Sequence, residues 1–335
     1  MDRWLTRIIA LVILILVGIW FFLLKPEHPA AQIRIDGSSA VFPITEAVAE
    51  GFRHANPAGL HVTVGISGTG DGFKKFCRGE TDIQDASRPI TLDERELCRQ
   101  TGIRYYELPV TIDAITIVVS PKNTWADSIT VGELKTIWEP SAQGKVLRWN
   151  HVRSSWPDTP LRLFGAGSDS GTFDYFTEAI VGKAKASRGD YTASEDDNTL
   201  VQGVASDKHA LGYIPFAYFP PNQQKLKAVA VDGGKGPVRP SRETVENGTY
   251  QPLSRPVFIY VNSASAERAE VKGFVEFYLK NAATLVAQVK YVPLPQQAYA
   301  AALERFYTGK VGTVFQGTSA VGLEIEDMLE RESKL

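Results

Sequence analysis

The sequence predicts an α/β chain with a mostly parallel sheet, folded as two lobes around a cleft. Three observations carry this. Strand-like and helix-like segments alternate from residue 33 onward. Two strong strand-forming runs, at about 108–119 and 256–261, lie in the middle and late chain, where both can cross between lobes. Three segments rich in Ser, Thr and Gly each precede an amphipathic run: Gly37-Ser38-Ser39-Ala40-Val41-Phe42-Pro43, Ser67-Gly68-Thr69-Gly70-Asp71-Gly72 and Ser168-Asp169-Ser170-Gly171-Thr172. A helix start leaves backbone N–H groups unpaired and carries partial positive charge. Hydroxyls add donors, and glycine lets an anion approach the backbone. One such segment is an ordinary cap. Three, far apart in sequence, point to a pocket that wraps a small oxyanion.

The elements follow in order. Ile33-Arg34-Ile35 is a short strand that runs into the first Ser/Gly segment, and Pro43 suits a first helical turn. Val41, Ile44, Val48 and Phe52 then recur at helical spacing. Residues 61–66 alternate as a second strand, and a helix runs from Asp71 or Gly72 to Cys77. Thr81-Asp82-Ile83 leads to the loop Asp85-Ala86-Ser87-Arg88-Pro89, followed by a helix at about 93–100. Thr130 with Glu133 three positions later predicts a capping box. Residues 161–164 form a strand that feeds the third Ser/Gly segment, and Phe173, Phe176, Thr177 and Ile180 line one face of the helix beyond it. Residues 183–193 read as a polar loop, about 198–205 as a helix and 210–215 as a short strand. Residues 220–252, rich in Pro, Gly, Lys and Asn, read as an irregular edge of the second lobe. Long helices are expected over 266–281 and 298–307.

The chain of 335 residues begins with Arg3 and Arg7 ahead of an uncharged apolar run over residues 8–24. That length is long for a signal-peptide core and at the short limit for a spanning helix. The flanking arginines fit an N-terminus kept in the cytosol, with the rest working outside the cytoplasmic membrane. The run reads as an uncleaved anchor; as a removed signal, its weak cleavage point is Pro29-Ala30-Ala31. About 300 residues remain, enough for two domains of ordinary size. Net charge is -2, from 36 basic and 38 acidic residues, and no basic tract argues for nucleic acid. The five histidines form no metal-ligand spacing, and no cofactor motif is present. Cys77 and Cys98 are expected to pair in an oxidising compartment, two buried thiols being the alternative.

At these motifs the chain resembles the phosphate-binding proteins of phosphate ABC importers. The resemblance rests on Gly-Ser-Ser-x-Val-Phe-Pro-Ile at 37–44, Asp-Ala-Ser-Arg-Pro-Ile at 85–90 and Asp-Ser-Gly-Thr-Phe-Asp-Tyr-Phe at 169–176. Glu195-Asp196-Asp197-Asn198, Leu211-Gly212-Tyr213 and residues 309–315 belong to the same pattern, so nearly all of 33–330 is covered. The resemblance implies a two-lobed type II periplasmic binding protein fold with a dehydrated phosphate between the lobes. It divides the chain into an anchor or signal with linker at 1–32, a discontinuous first lobe at 33–113 plus 257–335, and a second lobe at 114–256. It implies that the Ser39 hydroxyl and the N–H groups of Ala40 and Val41 face the anion, with Ser67, Thr69 and Gly70 beside them. Ser170, Gly171 and Thr172 form the opposite wall. Partners implied are inorganic phosphate, ABC permease subunits and, through residues 8–24, the cytoplasmic membrane.

The chain departs from the enterobacterial pattern of that family. Arg88 follows Ala86-Ser87 where the pattern has Asp, and no Arg occurs within residues 164–172, where the pattern carries one. Arg88 is therefore expected to supply the positive charge, because a guanidinium matches two phosphate oxygens. A carboxylate that accepts the phosphate proton repels sulfate, which carries none. The candidates are Asp169, ranked first beside Ser170, then Asp36, Asp71 and Asp113. A hydrolase is disfavoured, since His54, His61, His151 and His209 are scattered and none sits beside Ser39 or Ser170 in sequence. The alternatives left open are another tetrahedral oxyanion, such as sulfate or molybdate, and a membrane-tethered sensor or scaffold without transport.

Overall fold

The structure is a computed structural model that describes Trp4 and residues 32–56, 60–317, 321–323, 327–328 and 330–331. The apolar run at 8–24 lies outside the described residues. Among the described residues no helix is long and apolar enough to cross a membrane.

The chain opens with β1 (Gln32–Gly37), α1 (Phe42–Ala55), β2 (His61–Val64), α2 (Thr69–Cys77), β3 (Ile83–Ala86) and α3 (Leu92–Gln100). Each strand hands directly to a helix, so β1 pairs in parallel with both β2 and β3. Pro43 occupies the first turn of α1, where a missing N–H costs nothing. Thr91 and Glu94 close a capping box on α3. Cys77 ends α2 and Cys98 lies in α3, and a disulfide joins them across the Arg88 loop.

A 15-residue strand, β4 (Tyr105–Val119), follows and is buried along its whole length. The middle of the chain holds β5 (Ser128–Thr130), α4 (Val131–Trp138), β6 (Arg162–Ala166), α5 (Gly171–Val181), β7 (Thr192–Ser194), α6 (Asp197–Ser206) and β8 (Ala210–Pro215). Thr130 and Glu133 form the expected capping box on α4. Ser170 caps α5, and Gly182 closes it in the left-handed conformation at φ 91°, which glycine adopts without a Cβ clash. Residues 220–252 are more ordered than expected, with β9 (Lys227–Ala228), β10 (Ala230–Asp232), β11 (Pro237–Val238) and α7 (Arg242–Glu246). Strand β5 supplies the edge on which β10 pairs. The last elements are β12 (Ser254–Asn262), α8 (Ala269–Gln288), β13 (Val292–Pro293) and α9 (Gln296–Tyr307). Helix α8 starts later and runs further than expected, because Leu279, Ala282 and Val286 extend its buried face.

The main sheet runs β2-β1-β3-β12-β4-β8-β6-β7. Residues 105–114 of β4 pair with β12, while 115–119 pair with β8. One continuous strand therefore passes from the first half of the sheet into the second, and the chain returns through Leu253, whose carbonyl accepts the Ile115 N–H. The β4–β12 ladder slips between Val257 and Phe258, where Phe258 faces Pro109. Proline cannot donate to a ladder, so a bulge there is expected.

Candidate functional site

The Ser/Gly segments all stand beyond the carboxyl ends of the parallel strands, where open α/β sheets place ligands. Gly37 ends β1 at φ 138°, and a Cβ there would fall 2.2 Å from the Asp85 carbonyl. Only glycine lets the Ser38 N–H bond that carbonyl, at 3.0 Å. Gly171 is similarly constrained: its Cβ would lie 2.5 Å from both the Thr69 and Ser87 hydroxyls. The start of α5 thus presses directly onto the start of α2 and the loop after β3. Gly70 N–H donates to the Asp169 carbonyl at 2.9 Å, and the Tyr218 hydroxyl donates to the Ser39 carbonyl at 3.2 Å. These contacts shut the cleft.

The hydroxyls in it are arranged as donors. Ser170 Oγ accepts from Thr172 N–H at 3.1 Å, and Thr69 Oγ1 accepts from Ser87 N–H at 3.2 Å. Thr172 Oγ1 accepts from Arg255 at 2.7 Å. A hydroxyl that accepts an N–H bond keeps a proton to give; the Thr69 and Ser87 hydroxyls also bond each other, at 3.2 Å.

Beside Gly171 and Thr172 lies the buried guanidinium of Arg255, near the start of β12. Its guanidinium donates to Asp113 Oδ2 at 2.8 and 3.2 Å, to the Gly171 carbonyl at 3.0 Å and to Thr172. Arg255 and Asp113 are direct cross-strand neighbours in the β12–β4 register, so the sheet itself holds the pair. Burial pushes the Asp113 carboxyl up, and Arg255 pulls it back. Asp197, the first residue of α6, is also buried, and its Oδ2 has no hydrogen-bond partner. Its pKa is pushed up to about 7, first by burial and then by the charge of Asp113; the Ser39 hydroxyl and Arg255 oppose this. Ser39, Arg255 and Asp197 are 5, 1 and 2 % exposed. At such depth, charge–dipole interactions are strong and unpaired groups costly.

The expected site residues separate into two groups. Ser39, Thr69, Ser170, Gly171 and Thr172 converge. The Ala40 and Val41 N–H groups instead bond Ser38, through its hydroxyl and carbonyl at 3.2 and 3.1 Å. Ser67 sits beside β1, its N–H on Asp36 Oδ1 at 3.1 Å and its hydroxyl without a partner. Gly70 is spent on the cross-cleft bond. Asp36 also takes the Gly37 N–H and the Lys75 ammonium. Asp71 and Asp169 both face Lys74 on the rim, at 2.6 and 3.5 Å. Arg88 is enclosed by other partners: Nε donates to Asp174 at 2.7 Å, and Nη1 and Nη2 each donate to Glu94 at 2.8 Å.

Arg255, Asp197 and Ser87 are additional to the sequence reading. Ser254-Arg255-Pro256, at the start of the strand-forming run 256–261, repeats the triplet Ser87-Arg88-Pro89, which draws attention to Arg255 without setting it apart from Arg88. Asp197 lay inside a noted motif, but nothing in sequence told it from Glu195 or Asp196. Among the described residues no group of three or more His, Cys, Asp or Glu could hold a metal ion.

A family model described as a PBP superfamily domain matches residues 25–282. The chain belongs to this superfamily. It is 52% identical over 309 residues to protein SphX of Synechocystis, covering 92% of each chain. It is 34% identical over 273 residues to the phosphate-binding protein PstS of Staphylococcus epidermidis, covering 80% of this chain and 81% of that one. Within the superfamily it therefore groups with the phosphate-binding substrate-binding proteins of ABC importers. The fold agrees. A possible phosphate-binding protein of Planctomyces limnophilus, 49% identical, superposes with a TM-score of 0.63, covering 84% of this chain and 99% of that one. A putative phosphate ABC transporter substrate-binding protein of Clostridium perfringens, solved with bound phosphate, gives 0.66 at 26% identity, covering 79% of this chain and 100% of that one. Such a family binds its ligand without turning it over.

Proposed function

We propose that this protein binds inorganic phosphate in the shut cleft, outside the cytoplasmic membrane, and delivers it to the permease subunits of an ABC importer. The observation that carries the reading is the buried set of Ser39, Thr69, Ser170 and Thr172 around one guanidinium, Arg255. In this reading the hydroxyls and the first turn of α5 donate to phosphate oxygens, Arg255 supplies the countercharge, and Asp197 takes the phosphate proton. The lobes divide where β4 passes from β12 to β8, with 33–113 and 257–335 on one side and 114–256 on the other. The anion bridges both lobes, so binding and closure are one event.

Titration calorimetry of residues 32–335 with phosphate, arsenate, sulfate and molybdate tests this. Phosphate is expected to bind tightest. Ser39→Ala and Ser170→Ala are each expected to weaken it by about 1–3 kcal/mol, the loss of one charge-assisted donor in a dry site. Unchanged affinity in both variants would reject the assignment.

The run at 8–24, with Arg3 and Arg7 before it, supports attachment to the membrane by an uncleaved segment. Intact-mass measurement on protein from native membranes is expected to find that segment present. A mature N-terminus near Ala31 would show that it is removed.

A further inference from the structure

We propose that Asp174 and Arg88 form a strut between the lobes that favours the closed state without touching the anion. The inference rests on the phosphate-binding reading above and adds two positioning residues to it. Arg88 lies on the loop after β3 and Asp174 in the first turn of α5, on opposite sides of the cleft. Their side chains are 9 and 3 % exposed, and Nε of Arg88 donates to Asp174 Oδ2 at 2.7 Å.

The two ends of this bridge are held differently. Arg88 is fixed within its own lobe: Glu94 takes both terminal nitrogens at 2.8 Å, and the Pro89 carbonyl takes one at 3.2 Å. Glu94 is itself locked by the Thr91 capping box. The Arg88 guanidinium also lies 5.8 Å from the centre of the Phe73 ring. Asp174 depends on the other lobe. Its remaining oxygen, Oδ1, has no hydrogen bond, and the Lys185 ammonium, in its own lobe, is 4.0 Å away. Opening the cleft would leave Arg88 satisfied by Glu94 and take from Asp174 its close partner.

Position makes the bridge effective. Asp174 is four residues past Ser170, one turn along the same face of α5, and Arg88 adjoins Ser87, whose hydroxyl meets Gly171. Pulling Asp174 onto Arg88 therefore seats Ser170, Gly171 and Thr172 against Thr69 and Ser87. Asp174 acts on the anion through that helix turn. Burial pushes the Asp174 carboxyl up and Arg88 offsets this.

The test uses the full chain as wild type, Asp174→Asn and Asp174→Glu. Asparagine keeps the shape and removes the charge; glutamate keeps the charge. Phosphate affinity by calorimetry is expected to fall about tenfold to a hundredfold in Asp174→Asn and to recover in part in Asp174→Glu, with the loss in a faster off-rate. The ratio of phosphate to arsenate affinity is expected to stay constant. The melting temperature without phosphate should hardly move, while the rise that phosphate produces should shrink. Three results would overturn the strut: wild-type affinity in Asp174→Asn, a changed phosphate-to-arsenate ratio, which would put Asp174 on the anion, or a lowered ligand-free melting temperature with an undiminished phosphate increment, which would make the bridge merely structural. A wild type that binds no phosphate would remove the parent reading, a result separate from these three.

Discussion

Arg255→Gln is expected to reduce phosphate affinity at least a thousandfold. The guanidinium is buried and bonded to Thr172 and the Gly171 carbonyl, so in the proposed reading it would both neutralise the anion and position the wall opposite Ser39. One N–H, on Nη1, is left beyond these bonds, and a charge-assisted donor in a dry site is among the strongest single interactions a pocket offers. The substitution also leaves Asp113 buried without its cation. Breaking a buried pair from one side costs about 3–5 kcal/mol of stability. Pairing Arg255→Gln with Asp113→Asn separates the two effects. The double variant is expected to regain much of the melting temperature and none of the phosphate affinity. Arg255→Lys keeps the charge and loses the fork, so it should fall between wild type and Arg255→Gln. Calorimetry and thermal melting on the same preparations measure both. Near-wild-type affinity in folded Arg255→Gln would place the countercharge elsewhere.

Asp197→Asn is expected to open the site to sulfate. A carboxylate facing the anion accepts a proton from phosphate and repels an oxyanion without one. Sites built around such a hydrogen bond reject the analogue lacking it by about 10⁴–10⁵. The amide removes the repulsion, so the phosphate-to-sulfate affinity ratio is expected to collapse by about a hundredfold or more. The pH dependence follows from the raised pKa, about 7 against an ordinary 3.8. The folded, ligand-free protein holds this proton more tightly than the unfolded chain does. Asp197 thus favours the folded state most below the ordinary carboxylate range, and that contribution is lost as pH rises from about 4 to about 7. Wild-type sulfate binding should accordingly grow as pH falls below about 7, where the carboxyl is neutral. Calorimetric titrations with both anions at pH 6 and 8 check this. An unchanged ratio in Asp197→Asn at pH 8 would remove Asp197 from the anion.

Much of the fold was legible because local rules decide it. The period of Val41, Ile44, Val48 and Phe52 predicts α1, and the Thr130–Glu133 spacing predicts a capping box that the structure contains. Alternating strands and helices require parallel pairing, and β1, β2 and β3 pair that way. The short elements in 220–252 were not legible, because two- and three-residue strands exist only where a partner edge such as β5 meets them.

The hydroxyls of the proposed site could be picked out because each stands at a helix start within its own few residues. The charges that the proposed reading uses could not. Arg88 and Arg255 occur in the same Ser-Arg-Pro context, and no local signal separates them. Their surroundings differ because β12 lies beside β4, which sets Arg255 on Asp113 and Thr172, while Glu94 and Asp174 enclose Arg88. Asp169 has the better sequence position and Asp197 the better environment: one meets Lys74 at the rim, the other is buried with an oxygen unpaired. Helix starts are local, so the sequence by itself determined where the hydroxyls and helix starts of the proposed site would be. A guanidinium or carboxylate takes its role from desolvation and from partners up to 142 residues away, which the tertiary structure alone decided.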